Sequence, residues 1–197
     1  MRVTLLRYLL TFLLLTTPAF AQKFDLRTLP QDYSFASQSA DHHTDMRFVR
    51  QEGERFLFEE TTTYSDGTMD AALVWVNAQS QTTAWGKNGD ETRFGPHDCA
   101  PSQGTCFYTW FHPEDTFEMK AVTKLVGNIW VSDEYFKDNG AWVLWERDCT
   151  TYDAYGFWVD YVRIDNEGRT SAGVRVRPAP DQLDELWKIC LPPQLTS

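Results

Sequence analysis

The sequence lacks several features that would assign it to a well-defined functional class. It contains no Cys-x-x-Cys, no Gly-x-Ser-x-Gly and no Asn-x-Ser/Thr motif. These absences argue against a thioredoxin-type redox site, against the nucleophile elbow of a serine hydrolase and, weakly, against a eukaryotic secreted glycoprotein. After the first residues, no stretch is apolar for the roughly 20 residues that a membrane-spanning helix needs. No long-period repeat is evident, which argues against a propeller or a solenoid.

Positive charge is also scarce. The chain has 18 basic and 28 acidic residues, which gives a formal charge of −10. Without Arg2 and Arg7, which fall in the leader described next, the formal charge becomes −12. An acidic surface argues against nucleic acids and anionic membranes as partners. We therefore expect no nucleic-acid partner and no stable membrane anchor.

The first 21 residues have the layout of a secretory signal peptide. Arg2 and Arg7 flank the start of a short apolar run at 8–15, and Ala19 and Ala21 supply the small residues of a cleavage site. The apolar run is too short for a transmembrane anchor, and no cysteine follows the cleavage site to carry a lipid. We predict cleavage near Ala21 and a periplasmic or secreted mature protein.

All four cysteines lie after the predicted leader. An even number of cysteines in an exported protein indicates disulfide bonds. Three pairings are possible, and we favour Cys99–Cys106, which closes a small loop, together with Cys149–Cys190, which ties the C-terminal tail to the sheet. The spacings do not suit a zinc site, and we predict neither a bound metal nor another cofactor.

The region 128–165 indicates the fold class. It contains ten aromatic residues and two turn signals, which divide it into three short strands. The first turn contains Asn139-Gly140, a strong signal for a two-residue β-hairpin. Along the whole chain, nine or ten short strands recur at a spacing of roughly ten residues. We predict an all-β antiparallel meander that forms a barrel or half-barrel, with a β-sandwich as the alternative.

The predicted domain organisation has three parts after the leader. Residues 22–45 are polar and irregular, and we predict an N-terminal extension there. Residues 46–177 form the antiparallel β domain, in which 86–101 is expected to be a loop. Residues 178–197 form a short helix and a tail, because the apolar residues of this segment recur at helical spacing: Leu183, Leu186, Trp187 and Cys190.

The carboxylates of the central hairpin are candidates for catalysis. Alternation from the Asn139-Gly140 turn places Asp133, Glu146 and Asp148 on one face, with Asp160 as a further candidate. Two carboxylates a few ångströms apart perform glycoside hydrolysis in many enzymes. Strand carboxylates that face water, however, form an ordinary acidic rim.

The histidines give weaker candidates. His42 and His43, flanked by acidic residues, contain ligand types that bind transition metals. Neighbouring side chains of an extended chain point in opposite directions, so we expect a solvated linker there. His97, Asp98 and His112 flank the first cysteine pair, and without a nucleophile motif we expect them to be loop residues.

The eight tryptophans are the strongest functional lead. Tryptophan is mostly a core residue, but the central hairpin has aromatic residues on both faces, and the surplus is available for a ligand cavity or a partner patch. We predict an exported, non-enzymatic binding domain for an apolar or lipid-like small molecule. The predicted ligand contacts are Trp130, Tyr135, Trp142, Leu144 and Trp158. The alternatives are an envelope module that binds another protein or has a structural role, and a hydrolase that uses the strand carboxylates.

Overall fold

The computed structural model describes residues 23–87 and 90–191, so the predicted leader lies outside the described residues. Twelve antiparallel strands form a closed barrel, and a short helix follows them. The predicted all-β barrel is therefore confirmed. The elements are β1 (Ser34–Ser39), β2 (His42–Glu52), β3 (Arg55–Tyr64), β4 (Met69–Asn77), β5 (Thr82–Lys87), β6 (Asp90–Gly95), β7 (Gly104–Phe111), β8 (Thr116–Val126), β9 (Ile129–Asp138), β10 (Ala141–Tyr152), β11 (Trp158–Asp165), β12 (Thr170–Arg175) and α1 (Leu183–Cys190).

The topology is a simple meander around the barrel. Each strand pairs with the next strand along the chain, and β12 pairs with β1 to close the sheet. The turns after odd-numbered strands therefore lie at one end, here called the upper end, and the connections after even-numbered strands lie at the lower end. Asn139 and Gly140 join β9 to β10 at the upper end and have φ values of 47° and 84°. These positive φ values are what a two-residue hairpin turn of this type requires.

Two segments that the sequence pattern predicts to be irregular are strands. Residues 22–45, predicted to be an extension, contribute β1 and the beginning of β2, and the predicted loop 86–101 contains β6. The inward-facing residues Ser37 and Ser39 of β1 line a cavity rather than an apolar core. A strand of this kind has no apolar alternation, so its sequence resembles that of a loop.

An apolar core fills the lower end of the barrel. The 3₁₀ helix Leu26–Thr28 lies there, and the backbone N–H of Leu26 donates to the carbonyl of Ala78 at 2.9 Å. Phe157, between β10 and β11, packs against Phe58 with ring centroids 4.8 Å apart. The buried residues of this core are Leu26, Leu29, Met46, Phe56, Phe58, Val74, Val76, Ala78 and Phe157. The lower end is therefore plugged by the chain that precedes β1.

A second apolar core lies outside the barrel, beneath α1. Leu186 of the helix is fully buried there, together with outward-facing residues of β9, β10 and β11. Cys149–Cys190 joins the helix to β10, with Cα atoms 5.6 Å apart, and Cys99 is bonded to Cys106. These are the two pairs favoured from the sequence. The helix explains why the central strands are apolar on both faces. Within the described ranges, no helix is long and apolar enough to span a bilayer.

Candidate ligand cavity inside the barrel

The barrel contains a cavity of about 700 Å³ above its lower core. Ten of the twelve strands contribute to the lining, and β2, β3 and β10 contribute successive alternate residues, because side chains alternate between the two faces of a strand. The cavity reaches Tyr64 and Asp70, which border the β3–β4 turn at the upper end. Its lining combines aromatic, hydroxyl and carboxyl groups, so it differs from the purely apolar interior of a core.

Three carboxyl groups meet on one wall of the cavity. Glu134 belongs to β9, and Glu146 and Asp148 belong to β10; one oxygen atom from each lies within 4.8 Å of the others. We call these three residues the acid cluster. A β-bulge before Glu146 leaves Trp145 as an extra residue, so that Glu146 pairs with Glu134 across the two strands. The bulge therefore brings the three carboxyl groups to the same face.

The bulge also overturns the predicted faces of the central hairpin. Glu146 and Asp148 share a face as predicted, but the prediction that Asp133 shares this face is wrong. Asp133 lies on the outer surface, where Arg147 donates to its two carboxylate oxygens at 2.5 and 3.0 Å. One extra residue reverses the in–out alternation for every residue beyond it, and the alternation pattern alone gives no sign of this.

Asp160, the further candidate for that face, has a structural position outside the barrel. It is fully buried, and Arg177 donates to its two oxygens at 2.8 and 2.6 Å. The backbone N–H of Gln182 also donates to Asp160, at 3.2 Å. Asp160 therefore fixes the chain that leads into α1 and does not belong to the acid cluster.

Two side chains hold the acid cluster in place. Arg163 of β11 donates to Asp148 from Nε at 2.8 Å and from Nη2 at 3.2 Å, and its Nε lies 3.5 Å from Glu146. Tyr108 of β7 donates its hydroxyl hydrogen to Glu134 at 3.0 Å. Arg163 supplies one positive charge against three carboxyl groups, so it does not neutralise the cluster when all three are ionised.

The environment of the acid cluster favours the protonated forms of two members. Burial raises the pKa of Glu146 to about 8; the charge of Arg163 opposes this increase, and the charges of Asp148 and Glu134 add to it. Burial also raises the pKa of Glu134 to about 7, with a contribution from Asp148 and an opposing one from the Tyr108 hydrogen bond. Near neutral pH, the cluster can therefore lose protons when a cation approaches.

Two further carboxyl groups in the cavity are also perturbed by burial. Burial raises the pKa of Glu60, which the hydrogen bond from the Trp85 indole at 3.4 Å partly offsets. Burial raises the pKa of Asp98 well above its ordinary value, although the backbone N–H of Thr82 donates to it at 2.8 Å. Both groups are therefore poorly solvated acids that face the interior.

The lining of the cavity has an excess of acidic groups. Asp70 is the sixth carboxyl group in the lining, and Lys87 forms an ion pair with it at 2.8 Å near the upper end. Arg163 and His42 are the basic side chains among the described lining residues. The charge in this space is therefore negative once the carboxyl groups ionise.

Aromatic rings cover much of the remaining surface. The cavity is lined by three tryptophans and four tyrosines: Trp85, Trp145, Trp158, Tyr64, Tyr108, Tyr152 and Tyr161. Trp158 and Tyr161 form an edge-to-face pair with centroids 5.0 Å apart. Gly173 makes room for the Tyr161 ring, because a Cβ atom at this position would lie 2.5 Å from Cε1 of Tyr161.

The five predicted ligand contacts occupy three different places. Trp158 lines the cavity. Trp130 is buried lower in the barrel and packs edge-to-face against Tyr152 at 5.7 Å. The other three lie on the outer surface: Tyr135, Trp142 and Leu144, where Lys120 Nζ is 4.1 Å from the Tyr135 ring centroid and 5.1 Å from that of Trp142. The structure therefore places one of the five at the cavity surface.

The histidines do not converge on a common site. His42 lines the cavity and contacts Asp41 at 2.7 Å, whereas His43 contacts Asp45 at 3.4 Å on the opposite face of β2. His97 Nδ1 lies 2.6 Å from the carbonyl oxygen of Asp98. The alternation argument thus separates the His42–His43 pair as expected, although both residues belong to a strand and not to a linker.

Sequence reasoning missed Glu134, Tyr108 and Arg163 as members of the site. A signal for Arg163 was present in β11, where Tyr161 and Arg163 alternate with the apolar residues Val162 and Ile164. Such polar alternation inside an aromatic strand indicates a face that lines a solvated space. No sequence pattern identified Glu134, because the bulge in β10 determines that Glu146 lies opposite it.

Comparisons with known proteins give no relative. No protein-family model matches the sequence, and neither a curated protein nor a solved structure matches it. The chemistry of the cavity is therefore the guide to its ligand.

Proposed function

We propose that the protein binds a small organic cation of the primary-amine class inside its barrel. The observation that carries this proposal is the charge of the cavity, where six carboxyl groups face Arg163 and His42. An ammonium group in this space would be attracted by several carboxylates in a medium less polarisable than water. Its N–H groups would also form charge-assisted hydrogen bonds with carboxylate oxygens.

The lining favours an organic cation over a metal ion or a neutral lipid. Aromatic faces such as those of Trp85 and Trp158 attract cations and also bury the carbon atoms attached to them. Carboxylate oxygens suit calcium, but Arg163 already binds Asp148 through two N–H groups. A neutral lipid would leave the acid cluster without a new partner. The apolar ligand expected from the sequence is thereby narrowed to one that carries a positive charge.

A matched pair of probes tests this proposal. The purified protein is titrated at pH 8 with 2-phenylethylamine and with the neutral 2-phenylethanol, using calorimetry and tryptophan fluorescence. We expect the amine to bind at least roughly tenfold more tightly, because hydrogen bonds to charged groups are worth about 1.5–3 kcal/mol. Equal affinity for the amine and the alcohol would refute the proposal.

Variants locate the binding site. The double variant Glu134→Gln/Glu146→Gln keeps the shape of the acid cluster but removes two ionisable groups, so we expect the preference for the amine to fall to less than threefold. Glu118→Gln is the matched control, because Glu118 lies on the outer face and pairs with Lys137 at 2.7 Å. Unchanged amine binding by the double variant would place the ligand elsewhere.

We further infer that residues 1–21 are a signal peptide and that the mature protein is periplasmic or secreted. Two disulfide bonds fit an oxidising location outside the cytoplasm, and the residues before Gln22 have the layout of an export signal. Mass spectrometry of protein expressed with its leader in a secreting bacterium is expected to show a chain that starts at Gln22. A full-length chain retained in the cytoplasm would contradict this.

A hydrolase that uses the acid cluster is the second candidate. Glu146, with a pKa of about 8, is protonated at neutral pH beside Asp148, and a protonated acid near a carboxylate is the arrangement that glycoside hydrolysis requires. It ranks second because Arg163 bonds to both oxygens of Asp148. The test is a panel of nitrophenyl glycosides: turnover that Glu146→Gln abolishes would support a hydrolase, and no turnover would exclude these substrates.

A further inference from the structure

A second recess, of about 580 Å³, lies at the upper end of the barrel among β7, β8, β9 and β10. We call it the apolar recess. Its wall is formed by Trp110, Phe117, Met119, Phe136 and Trp145. Polar groups stand at its rim, on the turn between β7 and β8: His112, Glu114 and Asp115. An apolar concavity with a polar rim is the usual form of a small-molecule site.

The apolar recess lies one layer above the acid cluster. On β9, Phe136 is two residues beyond Glu134, and on β7, Trp110 is two residues beyond Tyr108, so each pair shares the inner face. Two residues advance a strand by about 6.6 Å. Trp145 lines both the cavity and the recess. The two spaces are therefore adjacent, and the Trp145 side chain borders both of them.

The side chains around Trp145 leave a volume that a ligand could fill. Trp145 stacks on Trp110, with centroids 5.1 Å apart and an interplanar angle of 24°. As the extra residue of the bulge, Trp145 has no directly opposite residue on β9 to fix it. A packed core seldom leaves such an unfilled volume.

We infer that the apolar recess binds the hydrocarbon chain of an amphiphilic primary amine whose ammonium group contacts the acid cluster. This inference rests on the proposed function, because it assigns the charged end of the ligand to the same cavity. It narrows the ligand class from any small amine to one with an extended apolar tail.

The chemistry of the wall supports a hydrocarbon tail. Phe117, Met119 and Phe136 present no donor or acceptor to the recess, and the flexible thioether of Met119 adapts to chains of irregular shape. Elsewhere the cavity presents Glu60 and Thr62, and a hydrocarbon chain there would displace water from polar groups. An apolar tail that starts at the acid cluster is therefore best accommodated in the recess.

A homologous series of ligands tests the inference. The protein is titrated at pH 8 with n-propylamine, n-hexylamine and n-nonylamine, each below the concentration at which it aggregates. We expect affinity to rise by up to about fourfold for each methylene group that the recess buries. In Phe136→Ser, we expect most of this rise to disappear, whereas the affinity for n-propylamine stays within about twofold of the unsubstituted protein, because n-propylamine reaches only the acid cluster.

Control variants separate the recess from general effects on the fold. Phe107→Ser makes the same change on the outer face of β7, where Phe107 is 60% exposed, and it should keep the full dependence on chain length. Phe136→Leu preserves an apolar wall and should also preserve the dependence of affinity on chain length. If Phe136→Ser does not fold, Phe117→Ser replaces it, since Phe117 lines the same wall and is partly exposed.

The outcomes distinguish this inference from the proposed function. Equal affinities along the series, or the same rise in Phe136→Ser as in the unsubstituted protein, would overturn the inference about the recess. Failure of n-propylamine to bind, or binding that is unaltered in Glu134→Gln/Glu146→Gln, would instead overturn the assignment of the ammonium group to the acid cluster.

Discussion

Glu146 shows how a charged cavity lowers the stability of the protein that contains it. Its pKa in the folded protein is about 8, above the ordinary value of 4.5. The folded state therefore holds this proton more tightly than the unfolded state does. Tighter binding of this proton stabilises the folded state. This contribution to the free energy of unfolding is fully present below the ordinary carboxyl pKa and is lost as the pH rises through about 8. Glu134, with a pKa of about 7, acts in the same direction over a slightly lower pH range.

Replacing Glu146 by glutamine should therefore stabilise the protein at alkaline pH. Glutamine keeps the shape of the side chain but cannot ionise, so the cost of a buried charge disappears. We expect Glu146→Gln to raise the free energy of unfolding by on the order of 2 kcal/mol at pH 8.5 and to leave it nearly unchanged at pH 4.5. Urea denaturation at the two pH values measures this. A variant less stable than the unsubstituted protein at pH 8.5 would contradict the prediction.

The same two groups give ligand binding a pH dependence. A cation binds the ionised carboxylates, so its binding must displace the protons of Glu134 and Glu146 when the pH is below their pKa values of about 7 and about 8. We expect the affinity for 2-phenylethylamine to rise by at least about tenfold between pH 6 and pH 8.5, with proton release measured by calorimetry in buffers of different ionisation enthalpy. An affinity that stays constant over this range would show that neither carboxyl group contacts the ammonium.

At the scale of the elements, the fit of β11 to β12 shapes the cavity. Tyr161 and Gly173 are directly paired on these strands, and the Tyr161 ring lies over the position that a Cβ of Gly173 would occupy. Ser39 of β1 also lies close, with its Oγ 3.4 Å from the Tyr161 hydroxyl. Because Gly173 has no side chain, the Tyr161 ring can lie along the cavity wall.

A double-mutant cycle tests this fit. We expect Gly173→Ala alone to destabilise the protein by about 1–3 kcal/mol, because the new methyl group collides with the ring. In a Tyr161→Ala background, the ring is gone and the same substitution should cost less than about 0.5 kcal/mol. The two free energies of unfolding come from urea denaturation. Equal costs in the two backgrounds would show that the collision with Tyr161 is not the cause.

The elements also show what the sequence can and cannot predict. The Asn139-Gly140 hairpin and helix α1 were predictable, because turn chemistry and the spacing of Leu183, Leu186 and Cys190 are local signals. Strand β1 was not, because Phe35 is its only inward apolar residue, whereas Ser37 and Ser39 line the cavity. Alternation placed Glu146 and Asp148 of the acid cluster on one face, but it could not place Glu134 there, because alternation within β10 contains no sign of the bulge at Trp145.

At the scale of the whole molecule, the two disulfides should contribute unequally to stability. Cys149–Cys190 spans 41 residues and ties α1 to the barrel, whereas Cys99–Cys106 spans 7. In the chain-entropy description, the longer loop restricts the unfolded chain more. We expect Cys149→Ala/Cys190→Ala to cost about 4 kcal/mol and Cys99→Ala/Cys106→Ala about 2 kcal/mol. Guanidinium denaturation of both double variants measures the difference, and the reverse order would contradict the prediction.

The pairing of β1 with β12 places a constraint on how the chain is made. Eleven of the twelve strand pairings join consecutive strands, so each later strand can add to a neighbour that has already emerged. The twelfth pairing joins Ser37 of β1 to Arg175 of β12. During vectorial synthesis or translocation, the incomplete sheet therefore has two unpaired edges until β12 has emerged. Exposed edges are sites of intermolecular strand pairing, and contacts so distant in sequence form slowly. The protein is thus most prone to intermolecular strand pairing in the interval before β12 becomes available to pair with β1.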